Sequence, residues 1–129
     1  MKKSILLSLI AVFLFGGAFG QALPKIKIET SLGEIIVEVD TINAPISALN
    51  FLKHVEQETY NNGVFYRVVR MDNQPQNDIK IEVIQGGVFT EVRFEKIPPI
   101  HHETTKQTGI KHLDGTISMA RMGPGTAST

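Results

Sequence analysis

The first patterned stretch of the chain alternates apolar residues with charged or polar ones at a period of two. Residues 25–30 read Lys-Ile-Lys-Ile-Glu-Thr, and residues 35–40 read Ile-Ile-Val-Glu-Val-Asp. Both stretches are rich in β-branched residues, which favour strands. A Ser-Leu-Gly-Glu sequence at residues 31–34 separates them and is typical of a turn. The pattern therefore predicts a β-hairpin.

A helical period follows the hairpin. Pro45 suits the first turn of a helix because no N–H donor is needed there, and Asn43 just before it can cap the helix. Apolar residues then recur at three-residue spacing: Ile46, Leu49, Leu52 and Val55. This spacing predicts one amphipathic helix that ends around Tyr60, before the sequence Asn-Asn-Gly.

The second half of the chain has the composition of short strands and loops. Residues 64–69 and 79–85 are strand-like, and the polar stretch 72–78 between them predicts strands that pair across a long loop. Two further short strands are predicted at residues 89–94 and 115–120. The interpretation is a mainly β domain with one early helix.

The first twenty residues differ from all that follow. Lys2 and Lys3 precede an apolar run from residue 5 to 15, and small residues come next. This order is typical of a secretory signal peptide, whereas a membrane anchor, the alternative, needs about 20 apolar residues. We expect residues 1–20 to be removed, leaving residues 21–129 as one periplasmic or secreted domain without stable membrane insertion.

Charge and cysteine content exclude several classes of function. The 13 basic and 13 acidic side chains balance, so the chain offers no basic footprint for nucleic acid. With no cysteine there is no disulfide, thiolate nucleophile or cysteine zinc site. His101, His102 and His112 share a loop without ligand spacing from acidic or thiol residues, so neither a metal nor a cofactor is expected.

Four segments in fixed order carry a specific signal. They are Thr-Ser-Leu-Gly-Glu at residues 30–34 with Asn-Ala-Pro at 43–45, Val-Phe-Tyr-Arg-Val at 64–68, Ile-Gln-Gly-Gly at 84–87, and Gly-Thr-Ile-Ser-Met-Ala-Arg at 115–121 with Gly-Pro-Gly-Thr at 123–126. Each alone is weak, but together they resemble the cyclophilin family of peptidyl-prolyl cis-trans isomerases. The resemblance runs from about residue 26 to residue 129.

The resemblance implies a closed antiparallel eight-stranded barrel capped by helices, of which this sequence holds the N-terminal portion only. It also implies that X-Pro bonds of peptides and unfolded exported proteins are the substrate, with the protein acting as a monomer. We expect the 129-residue chain by itself to be poorly stable and weakly active, since an open barrel exposes strand edges.

By the same resemblance, Arg67 matches the catalytic arginine, and Gln85 matches the glutamine that binds substrate backbone and steadies that arginine. Without the motif, Arg67 would be interpreted as a surface arginine in an ion pair, and Gln85 as a polar strand end. The substrate-binding positions that the resemblance implies are Phe65, Val83, Ala120 and Arg121, with Phe65 contributing more to packing than to contact.

Two departures from the family pattern bear on function. Glu82 and Val83 stand where the family has Phe-Met, and the loop at residues 71–78 is longer than usual between the arginine and the glutamine. An acid in place of an apolar residue weakens a proline pocket, so the alternative function is a non-catalytic chaperone or peptide-binding module. A barrel that carries apolar ligands is a more distant alternative.

Overall fold

The computed structural model describes residues 22–88 and 97–128. Within them, six elements follow in chain order: β1 (Lys25–Thr30), β2 (Gly33–Glu38), α1 (Pro45–Glu56), β3 (Val64–Val69), β4 (Val83–Gly87) and the single-turn α2 (Thr105–Thr108). The mainly β character with an early helix is confirmed. The signal peptide and the strand predicted at residues 89–94 lie outside the described residues.

The first hairpin is confirmed, with a shorter turn than predicted, because β2 already begins at Gly33. β1 and β2 are antiparallel and pair from Lys25 opposite Glu38 to Thr30 opposite Gly33. The Thr30 hydroxyl closes the two-residue turn, since it donates to the Gly33 carbonyl at 2.8 Å and accepts from the Leu32 N–H at 3.1 Å. Alternation along the strands places Ile26, Ile28 and Val37 on one face, while the other face is mostly charged but includes Ile36.

The core lies between this hairpin and α1. The buried apolar residues are Val37, Val39 and Ala48, and Ile26, Ile28, Phe51 and Leu52 pack against them. The helix face in contact with the hairpin is therefore that of Ala48 and Leu52. The apolar stripe predicted for this helix is wrong in part, because Leu49 is 60% exposed.

The cap of α1 also differs from the prediction. Ala44 is the N-cap residue and makes no side-chain capping bond. Asn43 instead hydrogen-bonds the Asp40 carboxylate through both its main-chain and side-chain nitrogens, each at 2.8 Å. The first turn of the helix is satisfied by Glu103, whose carboxylate accepts from Ile46 N at 3.0 Å and Ser47 N at 2.7 Å.

The second hairpin contains an irregularity. β3 and β4 are antiparallel, with Val64 opposite Gly87 and Phe65 opposite Gly86, and the ladder resumes with Arg67 opposite Gln85. Tyr66 is therefore the extra residue of a β-bulge. β4 begins four residues later than the strand predicted at residues 79–85, because the main chain of Ile81 binds the side chain of Gln74 at that level of the hairpin.

The two hairpins form two separate open sheets, each of two strands, within the described ranges. The closed barrel implied by the resemblance is thus not confirmed. The strand predicted at residues 115–120 is wrong: no residue of that segment is in a strand. Among residues 22–88 and 97–128 no strand pairs with it, and Thr116 N instead closes a turn with the carbonyl of Leu113 at 3.0 Å.

Candidate active site

The β-bulge brings three polar side chains into one hydrogen-bonded row. Arg67 Nη1 donates to Gln85 Oε1 at 3.2 Å, and Gln85 Nε2 donates to the Tyr66 hydroxyl at 2.9 Å. In a regular strand the neighbours Tyr66 and Arg67 would point to opposite faces. Because two residues of β3 stand opposite one residue of β4, both side chains reach the same carboxamide.

The chemistry of the groups fixes the orientation of the Gln85 amide. A guanidinium only donates hydrogen bonds, so the amide oxygen must face Arg67. The amide nitrogen then faces Tyr66, whose hydroxyl accepts from it. This arrangement leaves the Gln85 carboxamide and the Arg67 guanidinium in defined relative positions at the surface of the hairpin.

Arg67 makes none of the salt bridges found between described residues, whereas the neighbouring Arg70 binds Asp72 with its Nε at 3.0 Å from Oδ1. The alternative interpretation of Arg67 as an ion-paired surface residue therefore has no support in the described part of the chain. Arg67 is exposed, and an arginine stays charged in proteins. Among the described residues, its guanidinium hydrogen-bonds Gln85.

One of the two predicted apolar site residues of this hairpin lies beside the polar row. Val83 is two residues from Gln85 on β4, so the two share a face, and Val83 is 40% exposed. Glu82 precedes β4 and is one residue out of phase with them. Phe65, expected to face the core, is 47% exposed. Its ring lies against Gly86, where an added Cβ would be 2.6 Å from Phe65 Cδ1, so Phe65 lies on the face opposite to Gln85.

The remaining two predicted residues lie in a different part of the chain. Ala120 and Arg121 are both exposed. Among the described residues, no hydrogen bond or salt bridge joins either of them to Arg67 or Gln85. Their segment is held by α1 instead, since Asn50 Nδ2 donates to the Ser128 carbonyl at 2.8 Å and Glu103 binds the start of the helix. The structure therefore does not bring all six predicted residues together.

Sequence reasoning missed three residues that organise this region: Tyr66, Gln74 and Glu103. A bulge has no signature in a run such as Val-Phe-Tyr-Arg-Val-Val, so the contact of Tyr66 with Gln85 could not be predicted. Gln74 is one of several amide residues in a polar loop, and nothing in the sequence distinguishes it as buried. Glu103 is 56 residues from Ser47 in the sequence, so a local pattern could not predict their contact.

Within residues 22–88 and 97–128, no group of three His, Cys, Asp or Glu side chains is placed to hold a metal ion. In the same ranges, no helix has the length and apolar character to cross a membrane.

Comparison with known proteins decides the family. Residues 25–129 match the family described as cyclophilin type peptidyl-prolyl cis-trans isomerase/CLD. The chain belongs to this family. The cyclophilin resemblance seen in the motifs is thereby confirmed, and the matched range includes β3, β4 and the segment that carries Ala120 and Arg121.

Several curated peptidyl-prolyl cis-trans isomerases are similar to this chain at about the same level. Peptidyl-prolyl cis-trans isomerase A of Dickeya dadantii is 32% identical over 135 residues, which cover 100% of this chain and 65% of the relative. A peptidyl-prolyl cis-trans isomerase of Acinetobacter baylyi is 32% identical, with 90% of this chain and 58% of the relative covered. Peptidyl-prolyl cis-trans isomerase B of Escherichia coli is 32% identical, with 74% and 52% covered.

The chain thus spans between about half and two thirds of the length of these relatives. No solved structure matches it.

Proposed function

We propose that the protein is a peptidyl-prolyl cis-trans isomerase that accelerates rotation of X-Pro bonds, with Arg67 as its catalytic residue. The observation that carries the proposal is the hydrogen bond between Arg67 and Gln85 on an exposed face that also holds apolar Val83. Membership of the cyclophilin-type family supports it.

The chemistry asks for no covalent step. Amide resonance opposes rotation with a barrier of roughly 18–20 kcal/mol, and the twisted amide regains a lone pair on the proline nitrogen. A guanidinium that donates to this nitrogen stabilises the twisted state more than the planar one, and this differential binding accelerates rotation. Gln85 holds the Arg67 side chain in position, which reduces the reorganisation needed when substrate binds.

The substrate contacts follow from the chemistry beside the arginine. Exposed Val83 offers an apolar surface for the pyrrolidine ring of proline, which has no charge to pair. Phe65, which pairs with Gly86, supports the hairpin from the opposite face. In the proposal, the segment with Ala120 and Arg121 hydrogen-bonds the extended peptide through its main chain. Gln85 contributes a lone pair of Oε1 and a second hydrogen of Nε2 to the same backbone.

The setting is also part of the proposal. The pattern of residues 1–20 supports export, so the substrates would be X-Pro segments of exported proteins in the periplasm or outside the cell. Family membership supports the closed eight-stranded barrel as the fold of the whole protein. We further propose that it acts as a monomer.

The test is a protease-coupled isomerisation assay on the full-length protein with a proline-containing peptide. Arg67→Ala is expected to lower kcat/KM by about 100-fold, the usual effect of removing one donor to a transition state. Arg70→Ala is the matched control, because Arg70 is an exposed arginine that pairs with Asp72, and it should retain activity. Full activity in Arg67→Ala would remove the assignment.

A second candidate function is a peptide-binding module without catalysis. The observation in its favour is that Val83 takes the place of a larger apolar residue and leaves an open, partly exposed face. This function predicts that a proline peptide binds with measurable affinity by titration calorimetry while its isomerisation rate stays at the uncatalysed value.

A further inference from the structure

Gln74 is a buried polar side chain in a loop that is otherwise exposed. It is 6% exposed, although it lies in the long connection between β3 and β4. Its Nε2 donates to the carbonyls of Arg70 at 2.9 Å and Ile81 at 2.6 Å. Its Oε1 accepts from Ile81 N at 3.2 Å and from Asn77 Nδ2 at 3.3 Å. All the hydrogen-bonding groups of this carboxamide are thus in use.

The contacts of Gln74 reproduce those of a strand residue. Its carboxamide binds both the N–H and the carbonyl of Ile81, as a partner in an antiparallel ladder does. At the same time it holds the carbonyl of Arg70, the residue that follows β3. Gln74 therefore links the residue after β3 to a residue just before β4, beyond the end of the backbone ladder.

The register of this hairpin needs such a connection. A tight turn fixes the register of a hairpin, but residues 70–82 form a long loop that does not. β4 has only five residues, two of them glycine, and the bulge at Tyr66 already interrupts the pairing. A slip of one residue would turn Gln85 to the opposite face, away from Arg67.

We propose that Gln74 is a positioning residue of the isomerase site: it fixes the register that places Gln85 opposite Arg67. The effect on activity rests on the function proposed above, but the effect on register does not. Gln74 touches no reacting atom and acts only through the pairing of β3 with β4. The long loop between Arg67 and Gln85 thereby contains the residue that holds the register of the hairpin.

The rate of disulfide formation between cysteines at two paired positions reports the register of the hairpin. Val68 and Ile84 pair across the hairpin next to Arg67 and Gln85, so their side chains lie on the opposite face from the site. Residues 1–129 contain no cysteine, and any cysteine in the rest of the full-length protein is first replaced by serine. Paired strand residues are close enough for a disulfide, so Val68→Cys with Ile84→Cys then reports the native register. This pair is made in the otherwise natural full-length protein, then with Gln74→Ala, and with Gln76→Ala as the matched control.

We expect rapid, nearly complete disulfide formation in the parent and with Gln76→Ala, because Gln76 is an exposed glutamine of the same loop. Gln74→Ala should slow disulfide formation at least about tenfold and lower kcat/KM at least about tenfold while the cysteines are reduced. Oxidation, which restores the register, should restore activity. Gln74→Met, which keeps the volume without the hydrogen bonds, should behave as Gln74→Ala does.

Two results would overturn the proposal: disulfide formation in Gln74→Ala as fast as in Gln76→Ala, or low activity that persists after complete oxidation. A Gln85→Ala background separates positioning from a general loss of stability, because a residue that acts only through Gln85 has no further effect on kcat/KM there. If the parent has no isomerase activity, the proposed function fails, and the disulfide rates still decide whether Gln74 sets the register.

Discussion

Glu103 binds the first turn of α1 from 57 residues away in the sequence. Partial burial of the carboxyl acts to raise its pKa, but hydrogen bonds from the main chains of Ser47 and Ile46 and the Ser47 side chain, with the nearby His101, outweigh burial. The pKa of Glu103 is therefore held below its ordinary value. A carboxylate at this end of a helix also meets the positive end of the helix dipole.

Glu103 should make stability depend on pH. Because its pKa is lowered on folding, its contribution is complete above the ordinary glutamate pKa and is lost as pH falls through the lowered value. Glu103→Gln is expected to reduce the free energy of unfolding by about 1 kcal/mol at pH 7, as the loss of a helix cap does. Urea denaturation at several pH values measures the difference between the two proteins.

The difference should shrink toward zero at acid pH, where the natural Glu103 is itself protonated. Glu34→Gln is the control, because Glu34 pairs with Lys27 at an exposed site and should cost little at any pH. A constant difference between natural protein and Glu103→Gln from pH 7 down to strongly acid pH would contradict the assignment of the charge to the helix start.

For single residues, the sequence predicted the chemistry of the side chains better than their contacts. Motifs identified Arg67 and Gln85, and the structure joins them by a hydrogen bond. The partners of Gln74 and Glu103 are main-chain groups of distant segments, and main-chain groups leave no trace in a sequence pattern. Asn43 is a residue type that often caps helices, but in the structure it hydrogen-bonds the carboxylate of Asp40, three residues earlier.

The connection between α1 and β3 is closely packed around Gly63. Tyr60 packs against Phe51 at 5.6 Å between ring centroids, and burial raises the pKa of Tyr60. The Gly63 N–H donates to the Tyr60 carbonyl at 2.9 Å, and a Cβ added at Gly63 would be 2.8 Å from that oxygen and 3.1 Å from the Gly87 oxygen. Both neighbours are main chain: displacing Gly87 would disturb its pairing with Val64, and displacing the Tyr60 carbonyl would break its hydrogen bond from Gly63.

Gly63→Ala is therefore expected to destabilise the protein by about 1–3 kcal/mol, the usual range for overpacking. The control is Gly123→Ala, because nothing lies within 4 Å of a Cβ built at Gly123. That substitution should stay within about 0.5 kcal/mol of the natural protein. Urea unfolding of both variants measures the two effects, and equal stabilities would show that this connection can relax.

Elements with strong local signals were predicted well, and those that depend on a partner were not. The period-two alternation in residues 25–30 predicted a strand of the first hairpin, and the apolar spacing after Pro45 predicted the helix. The segment 115–120 has strand-like composition, but a strand exists only beside a ladder partner, and none lies next to it among the described residues. β4 starts later than predicted because, at Ile81, the side chain of Gln74 takes the hydrogen bond that a partner strand would make.

At the scale of the whole molecule, the described residues bury little apolar surface. Val37, Val39 and Ala48 are the buried apolar residues of residues 22–88 and 97–128. Large apolar side chains remain exposed on both hairpins, among them Leu32 at 99% and Ile84 at 60%. Surfaces of this kind mark contacts with a further partner or a risk of aggregation.

A chain of residues 22–129 expressed alone should bind the dye ANS strongly, because ANS reports exposed apolar surface. Its urea transition should be shallow, since the slope scales with the area that unfolding newly exposes. Ile79→Ser, at a position that is 84% exposed, should lower dye fluorescence without moving the transition. A steep transition without dye binding would contradict this prediction.

The carboxylate of Glu103 also provides a local probe of motion. The first amides of a helix have no acceptor within the helix and ordinarily exchange with solvent deuterium quickly. Ile46 and Ser47 are exceptions, since their amide hydrogens are held by a residue from a remote segment. Their exchange rates therefore report how often residues 97–128 detach from α1, even while the helix itself stays intact.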